Sequence, residues 1–364
     1  MTPMPIDGNA IVYCQGAFDT PNGKTAHGLV RRTKRYRVLS VIYTRHAGRD
    51  AGELLDGREA GIPIVPDLTG ALADARVRGL PADRLVIGLA PDGGRLPAEA
   101  RAEVLAAIEA GLGVDSGLHD FVSEDPELAA AARARGVELR DVRKPPPRSA
   151  LHFFSGKIAE VDSLKVALFG TDSAVGKRTT AWLLVDALAA AGFSAELVGT
   201  GQTAWMQGAR YGIVLDSLVN DFLSGEIEHA VWSACQEARP DAIVIEGQGS
   251  LLNPAYPGGY EILAAARPDA IVLQHAPARK DYDGFPGFPL HPLGRQIQAV
   301  ELISEKPVVA ITLNHEGLDA EGLEAAKAAT AAETGLPVCD PLTEGCAPVV
   351  GALEPWLGQR KAAR

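Results

Sequence analysis

Short apolar runs alternate with helical patterns along most of this chain. In the first part, apolar runs predict strands at 10–14, 38–43, 62–65, 85–88 and 137–142, and periodic segments predict helices at 97–110 and 126–135. Further along, strands are predicted at 166–169, 195–198, 242–245, 270–274 and 308–313, with helices at 179–191, 227–238, 296–303 and 322–334. Strands that are apolar throughout are typical of parallel sheets covered by helices on both faces. The pattern therefore predicts an α/β protein.

A proline-rich segment divides the two series of elements. Residues 143–148 read Arg-Lys-Pro-Pro-Pro-Arg, and three consecutive prolines fit neither a helix nor a central strand. A chain of 364 residues is also more typical of two domains than of one. We predict two doubly wound parallel-sheet domains, a Rossmann-like domain at 1–148 and a P-loop NTPase-like domain at 149–364. The first domain has no GxGxxG motif after its first strand.

The second domain takes its predicted class from one glycine-rich segment. Residues 170–180 read Gly-Thr-Asp-Ser-Ala-Val-Gly-Lys-Arg-Thr-Thr, between a predicted strand and a predicted helix. In that context the segment is typical of a P-loop, whose backbone N–H groups and lysine bind a phosphate. A nucleotide-binding P-loop normally has Ser or Thr directly after the lysine to hold Mg²⁺, and here that residue is Arg178. We therefore expect a phosphate-binding site and no metal. The predicted phosphate-binding residues are Gly170, Thr171, Ser173, Ala174, Val175, Gly176, Lys177, Arg178, Thr179 and Thr180.

Composition narrows the classes of function. With 35 basic and 46 acidic residues the net charge is −11, so nucleic acid is not an expected partner. No apolar run is long enough to predict a membrane span. Residues 1–9 lack the segments of a signal peptide, and the four scattered cysteines are expected to be reduced thiols. We expect a cytoplasmic protein that acts on a small molecule.

Polar residues follow several predicted strands, where ligands of parallel α/β sheets bind. Glu246 directly follows a buried strand, which favours a functional role for its carboxylate. His275 also follows a strand and is better explained as a structural histidine. Structural roles also remain open for other candidates. Gln202 and Thr203 could satisfy backbone groups of their loop, and Arg279 could form a solvated surface pair with Lys280. The predicted substrate-binding residues are Gln202, Thr203, Gln248, Ser250, Tyr256, Arg279, Ser116 and His119.

These motifs carry a resemblance to known families. The Gly-Thr-Asp start of the loop and Glu-Gly-x-Gly at 246–249 make the second domain similar to dethiobiotin-synthetase-like P-loop proteins. The whole chain resembles a two-domain bacterial P-loop family, long described as a domain of unknown function, that includes a D-glutamate N-acetyltransferase. The stretches that carry this resemblance are 24–26, 116–119, 125–128, 170–180, 200–203, 221–222, 246–250, 254–256 and 268–270.

The resemblance implies transfer of an acetyl group from acetyl-CoA to the amine of D-glutamate, in D-amino-acid catabolism. Independently, a metal-free phosphate site suits coenzyme A, whose phosphates do not react. A general base must deprotonate the substrate ammonium, and we assign this role to Glu246, with Asp172 as the alternative. Backbone N–H groups near Gly247 and Gly249 are expected to bind the oxyanion, and Arg279 a substrate carboxylate.

Two other functions remain open at this stage. The first is an ATP- and Mg²⁺-dependent kinase or carboxylate-activating ligase, in which Thr179 or Thr180 would have to reach the metal. The second is a non-catalytic sensor of CoA or nucleotides. We further expect a homo-oligomer, because the loops of the first domain are too few to enclose a site.

Overall fold

The computed structural model describes residues 6–363, with the side chains of Asp92 and of residues 359–363 excepted. The prediction of no signal peptide concerns 1–9, of which 1–5 lie outside the described residues. Within the described part no helix is long and apolar enough to cross a membrane. The chain divides into two compact units, one of residues 1–146 with 201–209 and the other of residues 147–200 with 210–364.

The first unit is a six-stranded parallel sheet covered by helices. Its strands run in the order β3-β2-β1-β4-β5-β6. They are β1 (Gly8–Tyr13), β2 (Tyr36–Ile42), β3 (Ile64–Val65), β4 (Arg84–Ile87), β5 (Gly113–Ser116) and β6 (Leu139–Asp141). The helices are α1 (Lys24–Arg31), α2 (Ala51–Asp56), α3 (Leu68–Val77), α4 (Ala98–Glu109) and α5 (Pro126–Arg135), joined by α7 (Gln202–Met206) from further along the chain.

A buried ionic cluster holds the strands of this unit together. Asp115 is fully buried in β5 and accepts hydrogen bonds from both Arg84 and Arg140. The Tyr36 hydroxyl donates to the same carboxylate. Removing one partner from such a buried pair typically costs about 3–5 kcal/mol. The cluster therefore explains how a strand with a central aspartate is stable.

Helix α7 belongs to the first unit although its sequence lies beyond the proline-rich segment. Met206 is part of the hydrophobic core of this unit. The Arg35 guanidinium lies 3.6 Å from the Trp205 ring centroid and donates to the Trp205 carbonyl at 2.7 Å. The Gln207 side chain donates to the Gly28 carbonyl at 2.8 Å. Residues 201–209 were placed in the second domain on sequence grounds, and their packing with the first unit follows from these apolar and cation–π contacts.

The second unit is a seven-stranded parallel sheet in the order β13-β12-β11-β7-β10-β8-β9. Its strands are β7 (Leu164–Gly170), β8 (Ala195–Gly199), β9 (Tyr211–Gly212), β10 (Ala242–Glu246), β11 (Ala270–His275), β12 (Val308–Leu313) and β13 (Val338–Cys339). Its helices are α6 (Lys177–Ala190), α8 (Asn220–Ala238), α9 (Tyr260–Ala266), α10 (Leu293–Ser304), α11 (Ala320–Thr334) and α12 (Ala347–Ala363). The two parallel sheets confirm the predicted α/β class.

The order of the second sheet determines which loops meet. Strand β7 lies between β11 and β10, with Glu246 opposite Leu168 and Gln274 opposite Gly170. All of these strands are parallel, so their carboxyl ends lie at one edge of the sheet. The loops that follow β7, β10 and β11 therefore converge there.

Candidate functional site

The P-loop connects the fully buried strand β7 to helix α6. A Cβ on Gly170 would lie 2.8 Å from Val175 Cγ2 and 3.0 Å from Lys177 Nζ, so a larger residue would crowd Val175 and the lysine that folds back over the loop. Ala174 has a φ of 51° and Gly176 a φ of 101°. A non-glycine residue in this region costs on the order of 1 kcal/mol and is typical of functional loops. Turns that mix right- and left-handed residues form concave anion sites, and this loop has that form.

Lys177 is buried at the start of α6. Its ammonium donates to the carbonyl of Asp172 at 2.7 Å and to that of Gly249 at 2.9 Å. The lysine therefore joins the P-loop to the loop that follows β10. A phosphate in the P-loop would lie against this charge, which is the role predicted for Lys177.

Asp172 is the centre of a hydrogen-bond network. Its carboxylate is fully buried. One oxygen accepts from Ser173 N at 2.7 Å and Asn253 Nδ2 at 2.8 Å. The other accepts from Arg279 Nη1 at 2.9 Å and Asp283 N at 2.8 Å. These contacts fix three loops to one another, and they do not support the alternative prediction of Asp172 as a general base, because a base must reach the substrate.

The side chain of Arg279 also points toward the P-loop. Besides Asp172, its guanidinium donates to the carbonyl of Ser173 at 2.7 Å and to Glu316 at 2.8 Å. Burial opposes its charge, but the hydrogen bonds that Arg279 donates to Glu316 and Asp172, together with the attraction of these two carboxylates, more than offset that effect, so the pKa of Arg279 is raised. The structure thus gives Arg279 the role of supporting the P-loop. Binding of a substrate carboxylate, as predicted from the sequence, would have to compete with these bonds.

Glu246 ends strand β10 and is 5% exposed. Its carboxylate accepts from the Thr200 backbone N–H at 2.9 Å, and the Thr200 hydroxyl donates to the Glu246 carbonyl at 3.0 Å. The Gln248 amide donates to the same hydroxyl at 2.7 Å. Thr200, which follows β8, therefore positions two of the predicted site residues, Glu246 and Gln248.

Two glycines shape this loop. A Cβ on Gly247 would lie 2.5 Å from the Leu168 carbonyl, and a Cβ on Gly249 would lie 2.1 Å from the Tyr256 carbonyl. Gly247 N donates to that Leu168 carbonyl at 3.0 Å. The bond engages the Gly247 N–H in the sheet, so its predicted role as an oxyanion donor is not supported. Ser250 is fully buried beside Gln296, whereas Tyr256 is exposed.

Two threonine hydroxyls of the P-loop segment, those of Thr171 and Thr180, contact polar side chains beneath the loop. Thr180 donates to Gln274 Oε1 at 2.6 Å, and Thr312 donates to the same oxygen at 2.6 Å. Thr171 Oγ1 lies 3.0 Å from His275 Nδ1. Burial lowers the pKa of His275 to about 4, so this imidazole is neutral near pH 7. These contacts describe structural roles for Thr171, Thr180 and His275 at the base of the loop.

The remaining predicted substrate residues lie in the first unit. Thr203 Oγ1 is 3.0 Å from Thr25 Oγ1, and a Cβ on Gly117 would lie 2.7 Å from the Gln202 side chain. The fully buried Ser116 hydroxyl accepts from Leu118 N at 3.2 Å, and His119 is exposed. The structure thus brings Gln202 and Thr203 to the 24–25 and 116–119 segments of this unit.

Models of known families match both parts of the chain. A P-loop domain described as DUF1611, a domain of unknown function, matches residues 152–350, and the Rossmann-like domain DUF1611_N matches residues 44–145. The chain belongs to the DUF1611 family. Both matches confirm the family and the two domain classes predicted from the sequence.

Similar proteins include two with named activities. A protein from Tritonibacter scottomollicae named D-glutamate N-acetyltransferase is 31% identical over 78% of this chain and 84% of its own length. A second of that name, from Pseudoalteromonas sp., is 29% identical over 73% of this chain and 76% of its length. A crystal structure of a DUF1611 family protein from Anabaena variabilis has a TM-score of 0.87 and 30% identity, covering 96% of this chain and 99% of that one.

Several residues of the P-loop site escaped the sequence-based prediction. Gln296, on α10, donates to the Thr171 carbonyl at 3.0 Å, and Asn314, after β12, donates to the Val175 carbonyl at 3.0 Å. Gln274 accepts the two threonine hydroxyls described above. Gln274 and Asn314 stand at the ends of apolar strands, which is a usable signal, whereas nothing local distinguishes Gln296 from any polar residue of a surface helix.

Proposed function

We propose that this DUF1611 family protein is an N-acetyltransferase that transfers the acetyl group of acetyl-CoA to the amine of D-glutamate or a similar acidic amino acid. The observation that carries the proposal is its similarity, over most of both chains, to two proteins named D-glutamate N-acetyltransferase. The name of these two relatives specifies D-glutamate as the acceptor and acetyl as the transferred group. The resemblance noted in the sequence implies acetyl-CoA as the donor, and the P-loop supports it.

The P-loop supports a ligand whose phosphates are held without reacting. Arg178 occupies the position of the usual Mg²⁺ ligand, and the Thr180 hydroxyl is hydrogen-bonded to Gln274 beneath the loop. Lys177, whose ammonium binds the carbonyls of Asp172 and Gly249, supplies positive charge beside the concave backbone, and Arg178 follows it in the sequence. A CoA diphosphate or 3′-phosphate needs these features, whereas phosphoryl transfer also needs a metal ligand.

Glu246 is the general base of the proposed reaction. An amino acid arrives as an ammonium, and one proton must leave before its nitrogen can attack the thioester carbonyl. The attack forms the C–N bond and gives a tetrahedral intermediate with a negatively charged oxygen. Collapse of this intermediate breaks the C–S bond. The nitrogen loses its second proton, the CoA thiolate gains one, and the net products are the N-acetyl amino acid, CoA and a proton. We assign oxyanion binding to the backbone N–H of Gly249, since that of Gly247 bonds Leu168.

The experiment is a coupled pair of assays on the purified full chain. Thiol release from acetyl-CoA is measured with single D- and L-amino acids, with D-glutamate expected to give the highest kcat/KM. Glu246→Gln should then lower kcat by about 10²–10⁴ while CoA binding persists. The matched control is Glu324→Gln, an exposed carboxylate of α11 paired with Lys327, which should leave kcat unchanged.

Two results would contradict the proposal. Absence of thiol release with every acidic amino acid would refute the acetyltransferase. Retention by Glu246→Gln of more than about a tenth of kcat, with an unchanged pH–rate profile, would move the base role elsewhere.

A further inference from the structure

Two half-exposed aromatic side chains lie in loops of the second unit. Tyr256 and Phe288 are each 54% exposed, and Phe285 lies between them. The ring centroids of Tyr256 and Phe285 are 6.3 Å apart at 66°, and those of Phe285 and Phe288 are 6.4 Å apart at 85°. We name these three residues the aromatic shelf. Contiguous exposed apolar surface of this kind marks a binding surface more often than scattered exposed residues do.

The shelf is built on fixed backbone. Asn253 is almost fully buried, and its side-chain oxygen accepts from the backbone N–H of Tyr256 at 2.9 Å. In the second loop Tyr282 N donates to the Phe288 carbonyl at 3.0 Å, and Phe288 N donates to that of Phe285 at 3.1 Å. Because the backbone that carries the rings is already ordered, only the side chains lose conformational entropy when a ligand covers them.

Both halves of the shelf are tied to the P-loop through one carboxylate. Asn253, which fixes Tyr256, donates to Asp172 at 2.8 Å. Asp283, in the loop of the two phenylalanines, donates its backbone N–H to Asp172 at 2.8 Å. Asp172 is itself a P-loop residue. The shelf therefore borders the loop to which we assign the phosphates of the donor.

The shelf also continues the segment that carries the proposed base. Tyr256 lies ten residues after Glu246 in the same β10 loop, and its carbonyl accepts from Ser250 N at 3.3 Å. In acetyl-CoA the part that joins the diphosphate to the thioester is the pantetheine arm, which is uncharged and carries a gem-dimethyl group. Glu246 and the P-loop follow neighbouring strands at one edge of the sheet, and this segment joins Glu246 to the shelf, so an arm bound between the P-loop and Glu246 would lie near the shelf.

We infer that the aromatic shelf binds the pantetheine arm of the acyl-CoA donor. The inference rests on the proposed function, because it takes CoA as the ligand. Uncharged rings gain most from apolar contact, which suits the arm and gives nothing to the phosphates. In this arrangement Asp172 is a positioning residue, which holds the P-loop and the shelf at a fixed spacing.

The test measures binding of three ligands by calorimetry to the full chain. They are CoA, 4′-phosphopantetheine, which lacks the adenosine, and 3′,5′-ADP, which lacks the arm. Tyr256→Ala and Phe288→Ala should each weaken CoA and 4′-phosphopantetheine about tenfold, the effect of losing one aromatic contact, and leave 3′,5′-ADP unchanged. Tyr256→Phe keeps the ring and should bind as the wild type does. Phe154→Ala is the matched control, since Phe154 is a 49% exposed ring elsewhere in the unit.

The outcomes separate the shelf from the proposed function. If the wild type binds CoA and neither alanine variant alters the affinity for the two arm-containing ligands, the shelf inference is wrong while the acetyltransferase proposal stands. Equal weakening of 3′,5′-ADP would assign the shelf to the adenosine and overturn the inference as well. If the wild type binds none of the three ligands, CoA is not the donor and both proposals fail together.

Discussion

Replacing Asp172 by Asn separates a positioning role from a catalytic one. The change keeps the size of the side chain and removes one negative charge and one acceptor oxygen. If the oxygen of the new side chain accepts from Ser173 N and Asn253, its NH2 group points at the donors of Arg279 and Asp283. In the flipped orientation the NH2 group points at Ser173 N and Asn253 instead. Either orientation opposes N–H groups to N–H groups, so two of the four hydrogen bonds are lost.

The magnitude follows from burial. Asp172 is fully buried and the Arg279 side chain is 14% exposed. Breaking one side of such a buried pair costs about 3–5 kcal/mol, because the remaining charge keeps its desolvation penalty. Arg279 retains Glu316 as a partner, which favours the lower end. We expect a loss of about 3 kcal/mol in the free energy of unfolding, which at a slope near 3 kcal/mol/M lowers the urea midpoint by about 1 M.

The assay is urea unfolding followed by tryptophan fluorescence, since Trp182 and Trp232 report on helices α6 and α8 of the second unit. Glu316→Gln is the control, because its carboxylate is 56% exposed and a surface pair contributes at most about 1 kcal/mol. CoA affinity, measured alongside, should fall with the stability of Asp172→Asn. A midpoint within about 0.2 M of the wild type, together with a kcat reduced a hundredfold, would refute the positioning role and restore Asp172 as a candidate base.

Three further predictions concern the lysine, the metal and the buried histidine. Lys177→Ala should weaken CoA binding by about 1.5–3 kcal/mol in calorimetry, because a charged hydrogen bond to phosphate is lost, with little change in kcat. Chelation of divalent metal with EDTA should leave CoA binding unchanged, because Arg178 replaces the metal ligand, and Mg²⁺ should add little to ATP binding. Stability in urea should fall as pH drops from about 6.5 to 4, because His275 has a folded pKa of about 4 and takes up a proton only on unfolding. That group contributes up to about 3 kcal/mol over the window, and His275→Gln should remove its share of the slope.

Each of these predictions has an opposite outcome. An unchanged KM for acetyl-CoA with a thousandfold lower kcat would place Lys177 at the reacting carbonyl instead of at phosphate. Tight MgATP binding that collapses on chelation would favour the ATP-dependent kinase or ligase. If stability falls equally with pH in the wild type and in His275→Gln, the imidazole takes up its proton over the same pH range in the folded and the unfolded protein.

The sequence predicted several long elements well, and it missed elements that are short, charged or interrupted by proline. Strand β12 and helix α5 lie at the predicted bounds. The predicted strands did not include β5, because Asp115 interrupts its apolar run, and only the distant Arg84 and Arg140 neutralise that charge. Helix α12 was not predicted, since Pro355 lies within it and proline argues against a helix interior. Short elements carry too few positions for a period to be recognised.

Residue types at the strand ends were predictable, and their partners were not. A parallel sheet brings the ends of β7, β10 and β11 to one edge, so a buried carboxylate or arginine there can be picked out from the sequence. Whether such a side chain faces a ligand depends on whether it forms an ion pair or hydrogen bond with a residue far away in the sequence. Asp172 and Arg279 lie 107 residues apart, and each is the other's counter-ion. In the sequence alone the two charges have no visible partner, which is why Asp172 was considered as a general base and Arg279 as a ligand of a substrate carboxylate.

Contacts between residues far apart in the sequence also hold the backbone of the P-loop in place. If the P-loop binds phosphate without a metal, as Arg178 after Lys177 leads us to expect, other contacts have to keep its concave backbone fixed, because a loose loop would lose entropy on closing around the phosphate. Arg279 binds the Ser173 carbonyl, Asn314 binds the Val175 carbonyl and Gln296 binds the Thr171 carbonyl. These three side chains come from three different elements, and each engages a backbone oxygen of the loop. Binding the carbonyl oxygens holds the peptide planes, and thereby the orientation of the N–H groups that are to meet the phosphate. Arg279, which was predicted to bind substrate, and the two amides that the prediction missed would therefore act on a bound phosphate indirectly, by holding the loop.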